Sequence, residues 1–457
     1  MYAMASLWFE SALLPGGWAG GVRLTAAGGA IARIETGVTA APGDERHGIA
    51  LPGLDNLHSH AFQRGLAGLT ERRGRDGDSF WTWRELMYRF VERIDPEQLE
   101  ALTAFAFAEM LEGGFTRVGE FHYLHHDQAG AAYAAPAELA ARVVAAAADT
   151  GIALTLLPTL YAHGGFGGAP AAARQRRFLN GPERFARIVE ECRTLAGALA
   201  GGYVAVAAHS LRAVTPPELT ALVQLAGDGL IHIHIAEQLR EVEECRAWCG
   251  RRPVQWLLEN APVDARWCLV HATHVDEEEL AGIAASGATV GLCPITECSL
   301  GDGIFPAAEF RAAGGRAGIG SDSNIRLDAA EELRTLEYTQ RLAHRARNVL
   351  AAGPGASTGR SLFDAALAGG ARALRPAGTA VGLAPGAPLD LLTLRAEHAA
   401  LTGRQGDELL DSWIFAGDRG LIDCVWRAGV RLVSGGRHRA RERLEARYAR
   451  ALRALLA

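Results

Sequence analysis

Not one lysine occurs among the 457 residues; all 46 basic side chains are arginine. Abundant alanine, glycine and arginine point to a biased coding composition, but the consequence is chemical. A Schiff-base lysine, a phosphate-loop lysine and a carboxylated-lysine metal bridge are all excluded. Cysteine is also sparse. The seven, at 192, 245, 249, 268, 293, 298 and 424, form no CxxC pair, and an odd count argues against a disulfide framework. They read as reduced thiols of a cytoplasmic protein. No run reaches the ~18 to 20 uncharged apolar residues of a membrane span. The opening MYAMASLWFES lacks the basic stretch of a secretory signal. With 46 basic against 52 acidic residues and no stripe of one sign, neither nucleic acid nor a membrane is expected as a partner.

What is present is a profile of apolar runs alternating with helix-like stretches. Residues 1–50 read as short strands with glycine turns (SLWFES, GGVRLTAAGGAIARIET). Strand candidates then follow as GIALPGLDNLHSH, TRVGEFHY, ALTLLPTLY, VAVAAHSLRAV, LIHIHIAEQ, RWCLVHATH, ATVGLCP and AGIGSDSN, separated by helical segments. Eight such strands over 51–374 predict an α/β fold, a TIM-like (β/α)8 barrel, which occupies roughly 250 to 320 residues. An open doubly wound sheet would want a glycine-rich phosphate turn after its first strand. GGFGG at 164–168 lacks that spacing and reads as a mobile loop. From 375 to 437 the texture returns to short strands, expected to pair with residues 1–50 in a small β-sandwich domain. Residues 438–457 predict an amphipathic helix for packing or subunit contact.

In a barrel, chemistry sits at the C-terminal ends of the strands. There the sequence places His58 and His60; Glu120, His122 and Tyr123; His209 and Arg212; His234 and Glu237; His271; and Asp322. Core packing does not require ionisable groups on six strands. Residues i and i+2 share a face of a strand, so His58 and His60 aim into one cavity and could hold a metal at ~2.0 to 2.1 Å. Alone that is weak, because 15 histidines give a chance HxH in roughly one such sequence of two. His232 and His234 form a second. His232 is read as a packing histidine on the other face, His274 as a solvated loop residue.

The combination of DNLHSH, HIHIAEQ, LVHATH and GSDS, with GLAPGAPLDLLTL near the C-terminus, resembles the amidohydrolase superfamily over essentially the whole chain. The resemblance implies a barrel with a small β domain built from both termini, and a metal bound by HxH, a histidine and a strand-eight aspartate. The HxxE of His234 and Glu237 is similar to the mononuclear deaminase branch. On that likeness His58, His60, His234 and Asp322 hold one divalent ion, Zn2+. Asp322 can also accept a proton, Glu237 carries a proton to the departing nitrogen, and His271 stabilises the oxygen-bearing intermediate. Four protein ligands plus water crowd the usual three-ligand catalytic zinc, so Asp322 is expected to bind loosely.

The rim suggests the substrate. Guanidinium forks suit carboxylates, so Arg84, in the loop DSFWTWRELMYRF, and Arg212 predict a small-molecule dicarboxylate, with Gln63, Tyr123 and His209 adding hydrogen bonds. Arg64 reads as structural. The strings NLHSHAFQR, DSFWTWRELMY, EFHYLHH and AAHSLRAV are similar to the branch that hydrolyses N-formimidoyl-L-glutamate to N-formyl-L-glutamate and ammonia in histidine degradation. That likeness also implies a homodimer. The alternatives are an aminohydrolase of a heterocycle such as guanine, a preference for N-formimidoyl-L-aspartate, and a non-catalytic scaffold.

Overall fold

A computed structural model describes residues 5–74 and 77–457; the first four residues of the 1–50 segment lie outside it. Strands β1 (Ala5–Leu14), β2 (Gly17–Ala27) and β3 (Ala30–Glu35) form an antiparallel meander, and β4 (Glu45–Pro52) returns parallel to β1. The stretch GIALPGLDNLHSH, expected as one strand, is two. Gly53 separates β4 from β5 (Leu54–Ser59), and its N–H is bound by Asp390 O. A Cβ at Gly53 would lie 2.3 Å from Thr116, so only glycine fits where the chain crosses between sheets.

From β5 the expected alternation follows. After β5 come α1 (Phe80–Val91) and α2 (Pro96–Glu112); then β6 (Phe115–His122), α3 (Glu138–Thr150), β7 (Ala153–Leu160) and α4 (Pro182–Gly197). Next are β8 (Tyr203–Val204), β9 (Val206–Ala208), α5 (Pro216–Ala226), β10 (Ile231–Ile235), α6 (Leu239–Cys249) and α7 (Pro253–Asn260). The barrel ends with β11 (Trp267–His271), α8 (Glu277–Ser286), β12 (Thr289–Leu292), α9 (Pro294–Leu300), α10 (Ala307–Ala312), β13 (Arg316–Ile319), α11 (Ala329–His344) and α12 (Thr358–Leu374). The parallel order is β13-β12-β11-β10-β9-β7-β6-β5, with β8 added beside β7. The ring closes after β13, where Ser321 N–H and Asp322 N–H bond to His58 O at 3.0 and 2.9 Å. Every residue of β5, β6, β7, β10, β11 and β12 is buried, as strands covered on both faces must be.

The end of α12 seals the barrel from below. Leu374 O accepts from Thr155 Oγ1 at 2.7 Å, Ala373 O accepts from His232 Nε2 at 2.8 Å, and Arg375 grips Asp55 with two bonds of 2.7 Å. His232 therefore does not face away. Residues two apart share a face, and His232 points into the barrel one layer below His234.

The chain then returns to the terminal sheet. β14 (Leu391–Leu394) pairs with β4, and after α13 (Glu408–Phe415) come β15 (Ile422–Arg427), β16 (Val430–Ser434) and β17 (Arg437–His438). The expected sandwich takes the form of one continuous sheet, β17-β16-β15-β14-β4-β1-β2-β3, with Phe9, Val22, Leu24, Leu391 and Trp426 in a shared core. Helix α14 (Arg441–Leu456) lies on α2, Tyr448 stacking on Phe105 with ring centroids 4.2 Å apart. Two loops are more ordered than the sequence suggests. DSFWTWRELMY is mostly helix α1, started by Ser79, whose Oγ accepts from Trp81 N–H at 3.3 Å. GGFGG is a turn whose Phe166 stacks on Trp248.

Candidate active site

The strand ends of β5, β10 and β13 bring four donors together. His58 Nε2 lies 3.2 Å from His60 Nε2 and 3.0 Å from His234 Nε2, and Asp322 Oδ1 is 3.4 and 3.3 Å from the first two. Gly320 makes the approach possible, since a Cβ there would meet His58 backbone and side-chain atoms at 2.8 to 2.9 Å. The backbone is bent to the same end. Ala236, His271, Ala272, Asp322 and Asn324, at or just beyond the ends of β10, β11 and β13, have φ between 44° and 68°, a costly region for non-glycine residues that clusters at functional sites.

These donors fit a divalent ion on their chemistry. His60 Nδ1 donates to Phe121 O at 3.0 Å, and His234 Nδ1 donates to His209 O at 2.9 Å. That fixes the tautomer, so each Nε2 presents a lone pair to the other rings. His58 Nε2 carries at most one hydrogen and cannot answer His60, His234 and Asp322 together, whereas a cation between them answers all four. Four donors ~2.0 to 2.1 Å from one ion sit roughly 3.3 to 3.4 Å apart in a tetrahedron, close to the observed spacings. Burial also keeps the imidazoles neutral: His58 is pushed down to about 3, and His60 and His234 are lowered too. Burial alone would raise Asp322, but its hydrogen bond with His58 and the cationic His271 hold it below the ordinary carboxylate range.

Two further groups flank this quartet. Burial pushes Glu237 up to about 7, against the opposing pull of His271 and Arg212. His271 Nδ1 donates to Glu297 Oε1 at 3.1 Å, and its Nε2 is 3.9 Å from Asp322 Oδ2. Burial disfavours its charged form, but Glu237, the Glu297 hydrogen bond and Asp322 outweigh it and push His271 up to about 10.

One enclosed cavity is lined by His60, His234, Glu237, His271 and Asp322 and also by Gln63, Arg84, Tyr123, His209 and Arg212. Every site residue expected from the sequence reaches this neighbourhood except His58, which lies just behind its lining. Gln63 Nε2 donates to Tyr123 Oη at 3.1 Å. The guanidinium carbons of Arg84 and Arg212 stand 4.5 and 5.9 Å from one Trp81 ring. Among the described residues, neither of their buried Nε–H groups has a hydrogen-bond partner. The nearest carboxylates to Arg212, Glu237 and Glu241, are 3.9 and 4.0 Å away, too far for good hydrogen bonds. A larger cavity of about 680 Å3 beside α12, lined by Leu367, Arg372 and Leu383, contains none of these groups. Chemistry, not volume, locates the site.

Some rim residues do other work. Glu120 accepts Ala61 N–H at 2.7 Å and His122 packs on His125; neither lines the cavity. Arg64 pairs with Glu109 at 2.6 Å, the structural role expected. His274, expected in solvent, is half-buried and donates from Nε2 to Asp302 O at 2.8 Å. Sequence reasoning missed Glu241, Glu297 and Asp302. The first two lie on short helices, where they look like ordinary surface charge.

Comparison with known proteins agrees with this geometry. Residues 49–432 match the amidohydrolase family, and residues 4–48 match the N-terminal domain of formimidoylglutamate deiminase HutF. The formimidoylglutamate deiminase of Pseudomonas aeruginosa is 51% identical over 99% of this chain and 100% of its own length. The crystal structure of an amidohydrolase from Brucella melitensis superposes with a TM-score of 0.96 at 55% identity, covering 99% of this chain and 100% of that one. An adenosine deaminase from Xanthomonas campestris, solved with bound zinc, shares the fold at a TM-score of 0.82 and 21% identity, covering 99% of both chains. The chain belongs to the amidohydrolase family, and within it to the formimidoylglutamate deiminases.

Proposed function

We propose that this chain is a metal-dependent hydrolase that converts N-formimidoyl-L-glutamate and water to N-formyl-L-glutamate and ammonia, a step of histidine degradation. The observation that carries the reading is the pair of buried, unanswered guanidinium N–H groups of Arg84 and Arg212 in the cavity that holds the metal-ready quartet. Buried N–H groups without acceptors are costly, and a dicarboxylate answers both. The 51% identity to the Pseudomonas aeruginosa enzyme supports the same substrate.

His58, His60, His234 and Asp322 would hold the ion. We take zinc, which suits three imidazoles and a carboxylate. When bound there, such an ion lowers the pKa of water from 15.7 towards ~7, making hydroxide available at neutral pH. The protein's own groups do the rest. Arg84 and Arg212 fix the two carboxylates, with Gln63, Tyr123 and His209 orienting the remaining polar atoms. Glu237, titrating at about 7, takes the proton of the attacking water and passes it to the nitrogen that departs as ammonia. His271, cationic and anchored by Glu297, stabilises charge on the carbon's new oxygen. The water's second proton, left on the new hydroxyl, passes by way of Asp322 to the same nitrogen; the C–N pair of electrons then leaves with NH3, and the formyl C=O remains.

All seven cysteines are free thiols, which agrees with a cytoplasmic home. The homodimer rests on family likeness alone. Ammonia release from N-formimidoyl-L-glutamate, N-formimidoyl-L-aspartate and guanine tests the substrate. The glutamate compound is expected to lead; since one methylene discriminates only about 10- to 200-fold, slower turnover of the aspartate compound is compatible. Turnover of guanine in preference to both would overturn the reading.

A further inference from the structure

Glu241 is fully buried in the first turn of α6, with no accessible surface at all. Its Oε2 accepts the backbone N–H of Glu237 at 3.1 Å and lies 4.0 Å from Arg212 NH2. Its other oxygen, Oε1, is buried and has no hydrogen-bond partner among the described residues. The Glu237 carboxylate stands 3.9 Å from the same guanidinium nitrogen. Arg212 is thus shared by two carboxylates and closes on neither. The turn that carries Glu237 is itself strained, because Ala236 has φ of 50°. A buried carboxylate with one oxygen unanswered is too costly to be filler.

From this geometry we infer that Glu241 is a positioning residue that sets the substrate clamp and the proton carrier in one register. It acts through Arg212 and through the Glu237 backbone, and it touches no substrate itself. As a fixed counter-charge behind Arg212, it offsets the attraction of the guanidinium for Glu237. That leaves the Glu237 carboxylate free to exchange its proton and the guanidinium free to meet an incoming carboxylate. As a hydrogen-bond acceptor, it holds the strained turn in place. Removing the charge while keeping the acceptor lets Arg212 fall onto Glu237, where each occupies the other.

This inference rests on the dicarboxylate reading given above. The test is a double-mutant cycle of Glu241→Gln with Arg212→Met, assayed by ammonia release from N-formimidoyl-L-glutamate on the metal-loaded enzyme, with rates expressed per bound metal ion. Glutamine still accepts the Glu237 N–H but carries no charge. Glu241→Gln alone is expected to lower kcat about 10-fold or more and to raise KM about 3-fold or more, because proton carrier and clamp are then both occupied. In the Arg212→Met background the same substitution is expected to change kcat less than about 3-fold, because the competing guanidinium is gone. A merely structural role would lower the melting temperature and leave kcat per metal ion unchanged. Equal losses in both backgrounds, or wild-type kcat in Glu241→Gln, would overturn the inference.

If Glu241→Gln does not accumulate as folded protein, Glu241→Asp carries the test. It keeps the charge and shortens the reach to the Glu237 N–H, so kcat is expected to fall about 3- to 10-fold with KM near wild type; unchanged kcat contradicts the inference. Wild-type protein inert towards N-formimidoyl-L-glutamate would instead remove the substrate reading, and this inference with it. Active wild type with indifferent variants would remove the inference alone.

Discussion

His232 and His234 stand two residues apart on β10 and both point into the barrel, yet they live in different chemistry. Below, His232 meets the carbonyl of Ala373 on the plug formed by the end of α12, close to the two-pronged Arg375–Asp55 pair. Above, His234 meets another imidazole nitrogen at 3.0 Å, with its own Nδ1–H already committed to His209 O. The lower layer pairs polar groups with opposite partners and so stabilises the ring. In the upper layer a single His58 nitrogen faces two imidazole nitrogens and a carboxylate at once, an arrangement a bound cation would answer. Depth along one strand separates the histidine that meets the plug from the one proposed as a metal ligand, in line with the division of labour between the two ends of such barrels.

The comparison can be broken or sharpened by substitution. The largest effect is expected from His234→Ala, which should abolish stoichiometric metal binding and lower kcat/KM by about 10³ or more. Elemental analysis alongside ammonia release checks it. Next comes Glu237→Gln, which should keep the metal but lower kcat by roughly 10² to 10⁴, the usual worth of a proton-transfer group. Arg84→Met and Arg212→Met should each raise KM for N-formimidoyl-L-glutamate about 10- to 100-fold, the equivalent of 1.5 to 3 kcal/mol for hydrogen bonds to charged groups. An unchanged KM in both would undo the two-carboxylate argument.

The pH profile is a subtler probe. The proton carrier must be a carboxylate to accept a proton, and Glu237 sits at about 7. Rate should therefore rise with pH through that region. His271 must stay cationic, and its position at about 10 places the falling limb on the alkaline side. Measuring kcat/KM from pH 5 to 11 in wild type and Glu237→Gln should show the rising limb in the first and not in the second. The smallest catalytic effect belongs to the lower layer. His232→Gln should leave kcat per metal ion unchanged and cost about 1 to 3 kcal/mol of stability, seen as a lowered melting temperature.

The same two layers explain how much could be read from the sequence. The spacing HSH, the HxxE at His234 and the lone aspartate of GSDS, taken with family likeness, sufficed to gather the quartet. Arg84 and Arg212, singled out by the chemistry of their side chains, also line the cavity. Depth is different. A period of two gives the face of a strand and not the layer, so His232 was misplaced although its face was calculable. The helix at Phe80 was hidden because Trp81 and Trp83 suggest an aromatic loop, while the decisive signal was the capping Ser79. Glu241, Glu297 and Asp302 carry no local mark. Each is buried only because distant strand ends converge on it, which no window of neighbouring residues can reveal.

The central claim, that three imidazoles and Asp322 hold one ion needed to cleave a C–N bond in an acidic substrate, is tested most directly by chelation. Ammonia release from N-formimidoyl-L-glutamate should vanish when the metal is stripped and return on adding back about one equivalent of Zn2+ per chain. Full turnover by metal-free protein would contradict it.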